Sequence, residues 1–106
     1  MGEVAQNHEA GQEVVSLEVR VGGRVQGVGF RYFAHAAARR LELVGYVKNV
    51  PDGTVRVYAE GTRASLVEFL RQMQQGPAGA IVREARAHWN RATGQYTYFD
   101  IERSGW

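Results

Sequence analysis

Val21-Gly22-Gly23-Arg24-Val25-Gln26-Gly27-Val28-Gly29-Phe30-Arg31 is the stretch on which the fold turns, because the apolar period changes across it. Upstream, Val15, Leu17, Val19 and Val21 alternate with Ser16, Glu18 and Arg20, the two-residue repeat of a half-buried strand. Downstream, Phe30, Phe33, Ala34, Ala37 and Leu41 recur at helical spacing, and that stripe ends near Gly45. A glycine-rich turn joins the two patterns and closes on an arginine. Gly27 and Gly29 can take positive φ and turn backbone N–H groups toward one point, which makes a concave nest for an anion. The helix opened by Phe30 and Arg31 adds unpaired N–H groups and the positive end of its dipole. Arg31 contributes a planar fork of donors matched to a phosphate or carboxylate face.

Two nucleotide motifs fail on these residues. A P-loop counted from Gly22 reaches Gly27 but then meets Val28 and Gly29 where Lys and Ser/Thr are needed. A dinucleotide fingerprint counted from Gly27 finds Tyr32 at its third glycine. The anion expected is a small phosphate-like group.

Working outward, Tyr46 to Val50 predicts a second strand, and Val55, Val57 and Ala59 alternate through a third. Pro51-Asp52-Gly53 between them is hairpin chemistry. Thr62 is a candidate N-cap for a second helix with a stripe of Leu66, Phe69, Leu70 and Met73, stopped by Gly76-Pro77. Ala80 to Trp89 and Tyr96 to Glu102 read as further strands, the former weakened by Ala85 and Ala87. Strands that bury one face and helices that bury one stripe pack as two helices on one face of an antiparallel sheet. The class is α+β, and the split β-α-β-β-α-β order is the ferredoxin-like sandwich. That fold hosts many functions, so the site must decide among them.

At 106 residues the chain is a single domain of ordinary globular composition, 44% hydrophobic with two prolines. Residues 1–13 show no periodicity and are expected to be a flexible extension before a domain over 14–106. They carry Glu3, Glu9 and Glu13 without a basic residue, so the net charge of +2 becomes +5 once these three negative charges are set aside. One lysine, Lys48, stands beside twelve arginines that are spread along the chain instead of gathered in a run. A local positive field for a small anion is the favoured meaning, with no nucleic-acid partner. Without cysteine there is no disulfide, thiolate metal site or cysteine nucleophile. No apolar run reaches the roughly 18–20 residues of a membrane span, and the N-terminus lacks signal-peptide character. A cytoplasmic monomer without membrane contact is expected.

The segment from Val21 to Arg31, with VQGVGFR inside it, resembles the first signature of the acylphosphatase family at every defined position. Gly45-Tyr46-Val47-Lys48-Asn49, followed by Gly53, Val55 and Gly61, resembles the second. The element order agrees over about residues 14–103. The resemblance implies a ferredoxin-like fold and hydrolysis of a carboxyl–phosphate anhydride to a carboxylate and inorganic phosphate, with no metal and no cofactor. It assigns phosphate binding to Arg31 and to the backbone of Val25, Gln26, Gly27, Val28, Gly29 and Phe30. It assigns the holding of the attacking water to Asn49. Ser104-Gly105-Trp106 lies outside the pattern.

Beside these roles, Gln26 is expected to shape the loop through side-chain hydrogen bonds. Lys48 alternates with Asn49 and so belongs on the opposite sheet face. His8, His35 and His88 share no spacing of a metal site or triad. A catalytically idle anion sensor is an alternative that the sequence leaves open. An RNA-binding module is disfavoured, because Thr54-Val55-Arg56-Val57-Tyr58 stands where the third strand would need its stacking signature.

Overall fold

The computed structural model describes residues 11–103. Its elements are β1 (Val14–Arg24), α1 (Phe30–Arg40), β2 (Val44–Asn49), β3 (Val55–Thr62), α2 (Arg63–Gln75), β4 (Ile81–Arg91) and β5 (Phe99–Ile101). The strands form one five-stranded sheet in the order β4-β1-β3-β2-β5. Both helices cover one face. Of the N-terminal segment set apart in the sequence, residues 1–10 lie outside the described residues, as do 104–106. Glu13 is described, and its carbonyl accepts from the N–H of Arg63 at 2.9 Å.

The periods seen in the sequence become layers. Leu17, Val19 and Val21 of β1, Val47 of β2 and Val55, Val57 and Ala59 of β3 all face the helices and are fully buried. They meet Phe30, Ala34, Ala37 and Ala38 of α1, Leu66, Phe69 and Met73 of α2, and Phe99 of β5. The alanines on α1 remove the bulk that would hold the helix away from the sheet. Close seating of α1 brings its first turn beside the C-terminal end of β2, where the site lies.

Three strand pairings are antiparallel as expected, β1 with β3, β1 with β4 and β2 with β3. The fourth, β2 with β5, is parallel, so the sheet is mixed. The reason is topological. The chain leaves β4 at one edge, crosses to the far edge and returns as β5 running opposite to β4, which is the direction that β2 already has. The fifth strand is also shorter than its apolar pattern suggests, because residues 96–98 belong to the crossover.

Element ends follow their caps. Thr62 accepts from the N–H of Ser65 at 3.2 Å, as its place before the second stripe suggests. The first helix stops at Arg40, earlier than the glycine-based expectation near Gly45. Glu42 takes a left-handed conformation at φ 59°, and the N–H groups of Glu42 and Leu43 return to the carbonyls of Arg39 and Ala38 at 3.2 and 2.9 Å. This is a Schellman closure with glutamate in the position glycine usually fills, so the residue type gave no stop signal.

Candidate active site

The loop between β1 and α1 has the conformation its glycines foreshadow. Gly27 and Gly29 sit at φ 76° and 80°, and a Cβ on either would meet no atom within 4 Å. The requirement for glycine is therefore conformational, not steric. Gly29 is the N-cap of α1, so no side chain caps the helix and its first N–H groups are left for an outside acceptor. No acidic residue occupies the first turn. Arg31 stands there instead, a cation at the positive end of a helix dipole, a placement that costs roughly 0.3–1 kcal/mol at an ordinary surface. An anion bound at the loop would reverse the sign of that term.

Arg31 is half-buried and held from one side, its Nη1 donating to the backbone carbonyl of Glu102 at 3.0 Å. Among the described residues no carboxylate pairs with it, so the rest of its fork stays free. Glu102 is itself fixed to β2, its N–H donating to the Val47 carbonyl at 2.8 Å. Asn49 closes β2. Strand alternation puts it on the helix side together with Val47, while Tyr46 and Lys48 face the opposite side. Lys48 lies on that opposite face with its Nζ 5.7 Å from the Tyr46 ring centroid.

Val25, Gly27, Gly29, Phe30, Arg31, Tyr32 and Asn49 line one recess of about 210 Å³. The structure thus brings Arg31, Asn49 and most of the loop to a single point, although Asn49 lies in the other signature. Val25 and Phe30 enter it from the core side, being buried, and Phe30 also packs edge-on against Phe33 at 5.9 Å. Val28 and Gln26 are half-buried and do not line it. Gln26 is turned inward, and its Nε2 donates to the carbonyls of Val50 and Thr54 at 2.8 and 2.9 Å. It stitches the loop to the hairpin that carries Asn49, the shaping role expected of it.

A second cavity of about 530 Å³ adjoins the recess through Arg31, Tyr32 and Asn49, and adds Ile101 and Arg103. Nothing in the signatures marks Tyr32, Ile101, Arg103 or the Glu102 carbonyl, and the last three come from β5 and the residues just after it, which reach the site only through the sheet order. His8 lies outside the described residues, and neither His35 nor His88 joins the site. His35 packs 6.2 Å from the Phe99 ring, and His88 lies with Glu18, Arg20 and Arg86 on the uncovered sheet face.

On that uncovered face the β4–β5 crossover is held by Glu60, which is 3% exposed. Its carboxylate accepts from the Tyr58 hydroxyl, from the N–H and hydroxyl of Thr93 at 2.8 Å each, and from the N–H of Gly94 at 3.1 Å. Burial is the largest single influence and raises the carboxyl pKa, but the hydrogen bonds from Tyr58, Thr93 and Gly94 together outweigh it and leave the value below the ordinary one. Tyr96 of the crossover packs on Tyr58 and Tyr46 at 5.4 and 6.0 Å between ring centroids.

Known proteins share both this fold and these sequence features. Acylphosphatase from Archaeoglobus fulgidus is 51% identical over 70 residues, covering 66% of this chain and 79% of its own. The Pseudothermotoga lettingae acylphosphatase is 42% identical over 87 residues, covering 81% and 96%. The crystal structure of acylphosphatase from Bacillus subtilis superposes with a TM-score of 0.80 at 35% identity, over 83% of this chain and 98% of that one. With the Acylphosphatase family model matching residues 17–101, from within β1 to the end of β5, the chain belongs to the acylphosphatase family.

Proposed function

We propose that this acylphosphatase hydrolyses the carboxyl–phosphate bond of small acyl phosphates without a metal ion, using the recess between the glycine loop, Arg31 and Asn49. The observation that carries the reading is the convergence of an uncapped helix N-terminus, an unpaired guanidinium face and a strand-end amide on one recess of about 210 Å³. The loop N–H groups and Arg31 hold the phosphoryl oxygens. Asn49 accepts a hydrogen bond from water through its side-chain oxygen and donates through its nitrogen, so it positions the nucleophile without serving as a base.

The water oxygen bonds to phosphorus as the bond from phosphorus to the acyl oxygen breaks, and the carboxylate leaves with that electron pair. Its conjugate acid has a pKa of about 4–5 by analogy with side-chain carboxyls, so no general acid is needed. The water proton passes to a phosphoryl oxygen. A loose transition state of this kind asks chiefly for stabilised charge and in-line placement, which a backbone cradle, one arginine and one amide supply.

The test is steady-state hydrolysis of acetyl phosphate by the wild type, Arg31→Ala and Asn49→Ala, each with and without a chelator. Loss of one preorganised group costs about 10²–10³ in rate, and both variants are expected to lose at least that much. Inorganic phosphate should inhibit the Arg31→Ala protein more weakly, and the chelator should change nothing. Full activity in Asn49→Ala would remove its role in holding water, and a pH–rate profile with an essential base near pH 7 would remove the proton route.

A further inference from the structure

The recess that takes a phosphoryl group opens into the larger cavity of about 530 Å³, lined by Arg31, Tyr32, Asn49, Ile101 and Arg103. With phosphate in the loop, the acyl part of a substrate has to extend into this space. Its lining is one-sided in charge. Among the described residues it holds two guanidinium groups and no carboxylate side chain, although β5 and its continuation carry Asp100 and Glu102.

Strand alternation explains the sorting. Phe99 and Ile101 face the helices, and Arg103 continues that series into the cavity. Asp100 and Glu102 point the other way, where they line a separate cavity beneath Tyr46 and Tyr96. Arg103 is exposed and makes no ion pair among the described residues, whereas Arg56, Arg63, Arg71 and Arg86 each have a carboxylate within 4 Å. Arg31 is occupied by the phosphoryl end and by the Glu102 carbonyl. Among the described residues, Arg103 is therefore the cation left without a carboxylate partner on the acyl side.

We infer that Arg103 is a specificity-determining residue, selecting acyl phosphates whose acyl group carries a second anionic group, a carboxylate or phosphate, over those with a short neutral acyl group. This inference rests on the proposed placement of phosphate in the loop. The distal anion meets the Arg103 fork, while Tyr32 and Ile101 flank the intervening carbons. An uncharged acyl group such as acetyl leaves Arg103 without a partner.

The experiment compares kcat/KM for monosuccinyl phosphate, which carries a distal carboxylate, with kcat/KM for acetyl phosphate in the wild type, Arg103→Gln and Arg103→Lys. The ratio of the two should exceed one in the wild type and fall about three- to tenfold in Arg103→Gln, the scale of an exposed charge-assisted contact. The fall should appear mainly in KM, and Arg103→Lys should recover part of it. A ratio unchanged in Arg103→Gln overturns the inference, as does an equal fall in Arg39→Gln, an exposed cation outside the cavity, because long-range attraction alone favours the more highly charged substrate. Failure of the wild type to hydrolyse either compound would count against the proposed function itself, and a hydrolysing enzyme with an Arg103-independent ratio against this inference alone.

Discussion

Arg31 and Gln26 show how single side chains of one loop divide the labour. Arg31 is a cation where the helix field disfavours one, and only an anion in the loop makes that position favourable. Gln26 touches no part of the recess. Its amide spans from the loop to both carbonyls at the neck of the Pro51-Asp52-Gly53 turn, and so sets the distance between cradle and Asn49. Those carbonyls also accept backbone N–H groups, Val50 from Gly53 and Thr54 from Val50, so losing Gln26 orphans neither. Gln26→Ala is accordingly expected to cost about 1 kcal/mol in urea unfolding. Its kcat should fall about tenfold, as a small misplacement of positioning groups does. A kcat equal to that of the wild type would show that the loop holds its place without the stitch.

At the scale of elements, Glu60 on β3 tethers the β4–β5 crossover. Four donors converge on one buried carboxylate, three of them from the crossover, which leads into β5 and the Glu102 carbonyl just past it that supports Arg31. Glu60→Gln leaves a single acceptor oxygen for those donors and should cost about 1–3 kcal/mol near neutral pH. Because the folded carboxyl has a pKa below its ordinary value of 4.5, the contribution is present above that pH and disappears as the pH falls through the folded value. The stability gap between wild type and Glu60→Gln, read from urea midpoints across pH 2–7, should thus close on the acid side. A gap independent of pH would mean that the carboxylate charge is not what holds the crossover. Gly45 shows another element-level constraint, since a Cβ there would stand 2.0 Å from the Tyr58 carbonyl oxygen. The second signature begins with glycine because β2 and β3 approach too closely at that point for any side chain.

For the whole molecule, the sheet order turns three distant pieces of chain into one site. β3 is the middle strand, α1 packs over β2 and β5, and that edge pair supplies Asn49 from one strand and, just past the end of the other, the carbonyl that supports Arg31. Ligand binding at such a junction should stabilise the whole fold, because the unfolded chain holds no cradle. Inorganic phosphate at 100 times its Kd should add about 2.7 kcal/mol to the unfolding free energy. The same phosphate should add little to Arg31→Ala. Equal stabilisation of both proteins in thermal or urea unfolding would place the bound phosphate elsewhere.

Much of this was legible in the residues themselves. The period switch at Val25 to Gly29 marked the passage from strand to helix, and positive φ at Gly27 and Gly29 followed from residue type, because those conformations are local. The two signatures likewise marked Arg31 and Asn49. Tertiary structure decided what depends on strand order. The parallel seating of β5, the carbonyl behind Arg31, the burial of Glu60 under the crossover and the arrival of Arg103 beside the recess all join residues far apart in sequence. No local pattern encodes such contacts. The sequence by itself determined the conformation of the glycine loop and the family, through short-range backbone preference and motif spacing. Only the strand order of the folded sheet, which brings distant segments side by side, determined how that loop is braced and which charges line the cavity beside it.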